Sequence, residues 1–248
     1  MNYKVEICTD SILSSVVARN AGADRIELCD NLLEGGTTPG YGTILHARKI
    51  TGIVMNVLIR PRGGDFLYSS DEFWIMKKDI ELCKKCGVDG VVSGILNSDG
   101  TIDVERSSEL VRLARPMSFT FHRAFDMCID PLQGLEDIIL TGADRILTSG
   151  QQNSAAKGAD LISSLVKLSA ERIIIMPGGG ISEENIASIA QTTRAAEFHM
   201  SARRKTDSSM IYRKPEVTMG SMPGYDEYSV RIADEQKIKR IITILETL

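Results

Sequence analysis

Aromatic residues are scarce in this chain, only 5% of 248 residues, so its core must rest on Ile, Leu, Val and Ala rather than on stacked rings. Hydrophobic residues nevertheless reach 43% and charged residues 25%, which excludes a disordered chain and is enough for a sizeable core. No run approaches the length of a transmembrane helix, and the N-terminus "MNYKVEICTD" lacks the basic and then apolar segments of a secretory leader. These absences predict a cytoplasmic protein without a membrane partner. The basic residues are dispersed and the net charge is −4, so the electrostatic footprint of a nucleic-acid binder is missing too. Five cysteines, an odd and scattered set, suit reduced thiols better than a disulfide framework.

A missing glycine bears on the fold. Short β-branched runs alternate with helical stretches from end to end, which argues for parallel strands joined by crossover helices. The strands are predicted at 4–8, 25–29, 54–60, 90–95, 118–122, 145–149, 172–177 and 196–201, the number that a closed barrel needs. An open doubly wound sheet would carry a Gly-rich fingerprint after its first strand, whereas "SILSSVVARN" has no glycine. Three copies of one joint, "NAGADRIELC", "KCGVDGVVSG" and "LTGADRILTSG", each place a glycine (Gly22, Gly87, Gly142) at a helix end and an Asp before a strand. The expectation is one (β/α)8 TIM barrel spanning residues 1–248. A long loop at 203–232, between the last strand and the final helix, is read as a lid, a binding segment or a homo-oligomer contact.

In a barrel the helix-facing strand positions must be apolar, which sorts the remaining positions into the lumen. By this rule Glu6 and Cys8 face inward, as do Glu27 and Cys29, then Asn56, Leu58 and Arg60. Thr120 and His122 follow, and finally Glu197, His199 and Ser201. Buried charges need partners or a ligand. Either Arg60 neutralises one or two of the glutamates in a structural network, or the group is an active site at the strand C-termini. In the latter case Glu6, Glu27, Arg60, His122, Glu197 and His199 are the catalytic candidates.

Loops after those strands add Arg62 and Asp65 from "IRPRGGDF" and Arg123 and Asp126 from "FHRAFDM". Arginines beside carboxylates suit a small anionic metabolite held by paired hydrogen bonds, or simply bridge one loop to another. In "IIIMPGGGISEEN", Gly178, Gly179 and Gly180 precede a helix expected to open at a Ser182 cap. Barrels often cradle phosphate on such backbone N–H groups, although the glycines also suit a plain tight turn.

Cys8 and Cys29 lie on neighbouring strands, so their sulfurs converge. Two thiolates favour a soft ion such as Cu(I), to which His122 or His199 could add nitrogen, but from spacing alone the pair reads as small buried hydrophobes filling the core. "CKKC" (Cys83 to Cys86) ends a helix, where the dipole disfavours a reactive thiolate, and is read as packing.

Together "EIC", "GADRIELC", "EGGTTPGYG", "IRPRGGDFLYS", "FHRAFDM", "RILTSGQ", "PGGGI" and "EFHMSA" resemble the CutC family, named for copper homeostasis, from about residue 4 to 230. The resemblance implies a (β/α)8 barrel, a cytoplasmic copper-binding protein and Cu(I) ligation by Cys8 and Cys29. Two departures stand out: Gly40 replaces the more usual serine after Thr38-Pro39, and the Cys83 and Cys86 pair is not part of the pattern. The arginines, His122 and the triglycine loop exceed what a metal carrier needs and keep open the alternative, a barrel enzyme (isomerase, lyase or hydrolase) acting on a small phosphorylated or carboxylated metabolite.

Overall fold

The computed structural model describes residues 3–219 and 226–248. Its strands are β1 (Lys4–Thr9), β2 (Arg25–Leu28), β3 (Val54–Leu58), β4 (Gly90–Ser93), β5 (Ser118–Phe121), β6 (Arg145–Thr148), β7 (Ile174–Pro177), β8 (Glu197–Met200), β9 (Arg203–Asp207) and β10 (Ser229–Ala233). The helices are α1 (Ile12–Asn20), α2 (Tyr41–Ala47), α3 (Ser70–Cys86), α4 (Val104–Ala114), α5 (Pro131–Thr141), α6 (Ala159–Ser169), α7 (Ile186–Thr193) and α8 (Glu235–Glu246). Strands β1 to β8 form one parallel sheet in the order β7-β6-β5-β4-β3-β2-β1-β8. A bridge between Gly178 and His199 brings its two ends together. This is the (β/α)8 barrel that the alternation predicts, with strand ends within about two residues of expectation. None of the described helices is long and apolar enough to cross a membrane.

The outward strand residues, among them Val5, Ile7, Ile26, Leu28, Val57, Val91, Phe119, Phe121, Ile146 and Phe198, pack with the inner helix faces into one apolar layer. The scarce rings are well used: Phe119, Phe121, Phe125 and Phe198 are among the largest fully buried side chains.

The repeated joint has a common chemistry. Gly22, Gly87 and Gly142 all take positive φ, which ends the helix and turns the chain back without Cβ strain. The following Asp then accepts a backbone N–H from the preceding strand: Val5 to Asp24 at 2.8 Å, Met55 to Asp89 at 2.8 Å and Phe119 to Asp144 at 2.7 Å. Each αβ unit is thereby stitched to the strand before it.

Two predictions are corrected. Segment 203–232 is not all loop: β9 and β10 pair as an antiparallel ribbon, and Ala233 N–H donates to Ser14 Oγ of α1 at 3.2 Å. The polar sequence "RRKTD" is largely solvent-facing, so it shows no alternation to betray a strand. Residues 220–225 of this segment lie outside the described residues. Helix α7 opens later than Ser182, because the Asn185 amide accepts Ser182 N–H at 2.9 Å and donates to Gly180 O at 2.8 Å. That pair of bonds holds residues 182–185 as a turn, with α7 starting at Ile186.

Candidate functional site

Strand register stacks the lumen in layers drawn from alternate strands. The first holds Arg25, Gly90, Arg145 and Glu197, and the second Glu6, Asn56, Thr120 and Met176. Glu27, Val92, Leu147 and His199 follow, and then Cys8, Leu58, His122 and Gly178. Charge fills the bottom of the barrel and chemistry its top.

The two lower layers form a closed ion-pair network. Arg25 donates to Glu6 from Nε and to Glu197 from Nη2, the latter at 2.7 Å. Arg145 Nε reaches the same Glu197 oxygen at 2.7 Å, and Asn56 Nδ2 donates to Glu6 at 3.3 Å. Burial alone would push the Glu6 carboxyl up, but Arg25 and His199 outweigh it and hold it down at about 2. Glu197 is likewise held below the carboxylate range: burial raises it, and the two arginines more than offset that.

Arg60 does not neutralise these glutamates. Its Nη1 donates to Glu34 O at 2.9 Å and Gly36 O at 2.6 Å, and its Nη2 to Gly64 O at 2.7 Å. The role belongs to Arg25 and Arg145, which sequence reasoning missed. The signal was there, since each stands two residues before an inward position, Glu27 or Leu147, and therefore shares its face.

Above the network, Cys8 Sγ lies 3.6 Å from Cys29 Sγ, and Cys29 Sγ lies 3.3 Å from Glu27 Oε2. His199 bridges the levels, with Nδ1 2.8 Å from Glu6 and Nε2 3.7 Å from Glu27. The donor atoms of Cys8, Glu27 and Cys29 all fall within 4.8 Å of one another. The hydrogen bond from Cys29, with His199 alongside, brings the Cys8 thiol down to about 5, against its burial. Burial pushes the Glu27 carboxyl up to about 8 and the Cys29 thiol well above its usual range. His199 is raised: burial disfavours its charged form, but Glu27, Cys8 and Glu6 together favour it more strongly.

A cavity of about 430 Å³ opens over this cluster at the C-terminal ends of the strands. Cys8, Glu27 and His199 form its floor with Leu58 and Leu147, while Arg60, Phe66, His122, Arg123, Asp126, Gly179, Gly180 and Ser201 line it further out. His122 caps the turn that follows β5, its Nδ1 accepting Ala124 N–H at 3.2 Å. The proton of the neutral ring is therefore on Nε2, which is buried without a partner among the described residues. Burial, then the nearby Arg60 charge, lowers this imidazole to about 3.

Other candidates are placed differently. Arg62 bonds Asp65 at 3.1 Å and Glu72 at 2.5 Å, outside the cavity lining. Gly178 supports the wall instead of lining it; a Cβ there would press into Leu147. Cys83 is buried in α3 with its thiol pushed up by burial to about 12.

The fold and site define the class: a single (β/α)8 barrel whose strand C-termini carry a buried thiol, carboxylate and imidazole cluster beneath a cavity. The chain belongs to the CutC family, whose model matches residues 3–204. A CutC family protein of Parabacteroides distasonis is 52% identical over 98% of this chain and 100% of its own. The Mus musculus protein named copper homeostasis protein cutC homolog is 47% identical over 98% of this chain and 89% of its own. Among solved structures, the CutC protein of Streptococcus agalactiae superposes with a TM-score of 0.77 at 35% identity, covering 80% of this chain and 98% of that one.

Proposed function

We propose that this is a cytoplasmic copper homeostasis protein that takes Cu(I) as cargo on Cys8 and Cys29. The observation that carries this reading is the 3.6 Å separation of two buried sulfurs with a carboxylate oxygen 3.3 Å from one of them. Two thiolates in a three-donor, trigonal set at metal–sulfur bonds of about 2.3 Å stand about 4.0 Å apart, so the sulfurs need part by only a few tenths of an ångström to hold one ion. Thiolates are the donors that soft Cu(I) prefers. The hydrogen bond from Cys29, with His199 alongside, lowers the Cys8 thiol toward its thiolate form, and Glu27 lies within reach as a third donor. The mouse and human relatives named copper homeostasis protein cutC homolog support a link to copper. Competition titration with a chromogenic Cu(I) chelator tests the reading. One tight equivalent is expected, lost in the Cys8→Ser, Cys29→Ser double variant, and unchanged affinity in that variant refutes it.

A second reading is favoured by the buried, unpartnered Nε2 of His122 and by a cavity far larger than one ion requires. In it the barrel is an enzyme for a small metabolite. Glu27, raised by burial to about 8, exchanges protons with substrate, and neutral His122 donates a hydrogen bond to a substrate oxygen. Glu6 and Glu197, tied to Arg25 and Arg145, position the cluster from below. A thermal-shift screen of metabolites and metals separates the readings: stabilisation by metabolites supports this one, and a response to Cu(I) alone supports the first.

A further inference from the structure

Two arginines line the cavity, Arg60 beside the thiols and Arg123 farther round the barrel, and the first has no carboxylate to answer its charge. Arg60 is buried, 5% exposed, and bonds three backbone carbonyls, with no carboxylate partner among the described residues and no partner for Nε. A buried cation without a counter-charge costs several kcal/mol unless a ligand supplies one. Its guanidinium stands 5.2 Å over the Phe66 ring, which in turn lies 5.0 Å from the His122 ring. His122, also 5% exposed, offers an N–H with no acceptor.

Next to His122, Arg123 uses Nε on Asp126 at 2.7 Å and Nη2 on Ser149 Oγ at 2.8 Å. These two bonds fix the guanidinium and leave Nη1 facing Gly179, about where a Cβ would sit 3.5 Å away. Gly179 and Gly180 both take positive φ. The backbone N–H groups of Gly180 and Ile181 donate to no acceptor among the described residues. Successive N–H groups in left-handed turns make anion-binding concavities.

We infer that the Arg123 side of the cavity is an oxyanion subsite: a phosphate or carboxylate group of a small metabolite seats against Arg123 and the Gly180 and Ile181 N–H groups, with His122 Nε2–H as a further donor and Arg60 adding buried positive charge to the same cavity. The ligand's remainder then points toward Glu27 and Cys8 on the cavity floor. This deepens the enzyme reading by assigning the end of the substrate that is recognised, and it is independent of copper.

The test reads binding alone. Thermal shift and ³¹P line broadening are followed with inorganic phosphate, and thermal shift with succinate, against chloride at matched ionic strength. Saturable stabilisation by at least one oxyanion is expected, and the preferred one tells phosphate recognition from carboxylate recognition. Arg123→Gln is expected to weaken it at least tenfold. Arg240→Gln, a surface control paired with Glu183, is expected to leave it unchanged. His122→Asn keeps an oxygen to accept Ala124 N–H while removing the Nε2 donor, and it decides the matter if Arg123→Gln fails to fold: an undiminished oxyanion affinity there overturns the subsite. Absence of saturable binding to the wild type, or equal loss in Arg240→Gln, overturns it as well. Such failure would leave proton exchange at Glu27 standing, since a metabolite screen reads that separately.

Discussion

Nδ1 of His199 lies 2.8 Å from Oε1 of Glu6, and through this contact the ion-pair network at the bottom of the barrel is joined to the thiol cluster above it. Glu6 faces Arg25 below and His199 above, so one carboxylate contacts both.

Glu6→Gln is therefore expected to cost about 3 kcal/mol in urea unfolding, because removing one partner leaves buried charge unanswered. Glu136→Gln, which breaks an exposed pair with Arg172, is expected to leave the midpoint unchanged. Equal midpoints for the two variants would mean that the buried network contributes nothing to stability.

Copper binding is expected to depend on pH with a slope that counts ligands. The thiols of Cys8 and Cys29 share one proton when the neighbouring hydrogen bond and His199 lower one of them, and the other, raised by burial, must release that proton to the solvent when an ion binds. Between pH 6 and 7.5 the Cu(I) affinity should rise about tenfold per pH unit. Glu27, at about 8, would release a second proton if it also ligates, and the slope would approach a hundredfold. Affinity independent of pH would rule out both ligand sets.

His122 makes the acid limb of stability steeper. Its folded value of about 3 lies below the ordinary 6.5 because burial and Arg60 oppose protonation. The unfolded chain takes up a proton below pH 6.5 while the native ring stays neutral, so stability is fully present above 6.5 and is lost as pH falls toward 3. Denaturant unfolding from pH 7 to 4 should show a slope in the wild type larger by up to about 1.4 kcal/mol per pH unit than in His122→Asn. Parallel slopes would contradict a neutral buried imidazole.

What was legible in the sequence follows from the physics of each position. Strand positions were readable because the helix-facing residues, Val5 with Ile7 and Ile26 with Leu28, must be apolar, which forces Glu6, Cys8, Glu27 and Cys29 inward. The Asp of each repeated joint was visible as a turn residue, but its acceptance of the preceding strand's N–H needs the barrel's register, which no local pattern carries. Alternation puts Arg25 and Arg145 on the inward face with Glu27 and Leu147, but at the start of a strand an arginine reads as solvent-facing, and only closure of the barrel shows Glu197 beside both. The β9–β10 ribbon escaped for the converse reason, since its exposed polar strands have no core to alternate against.

Two glycines separate steric from conformational demands. Gly158, at the start of α6, has φ −94, a value any residue adopts, yet a Cβ there would run into the Ser149 carbonyl and the Gly150 backbone. Those atoms belong to the turn whose N–H groups hold Asp126: Ser149 N–H donates to Oδ1 at 3.0 Å and Gln151 N–H to the same oxygen at 3.1 Å. Gly158→Ala should therefore lower stability by about 2 kcal/mol through overpacking and loosen Arg123 as well, which Asp126 positions. Gly40 is the opposite case: it caps α2 at φ −61 without a side-chain bond, and a Cβ there meets nothing within 4 Å. A serine there offers its hydroxyl to the first-turn N–H groups, so Gly40→Ser should stabilise by a few tenths of a kcal/mol. Denaturant midpoints for both variants check the pair. If Gly158→Ala unfolds like the wild type, the close approach of the two backbones at Ser149 is not a constraint on the Arg123 side of the cavity.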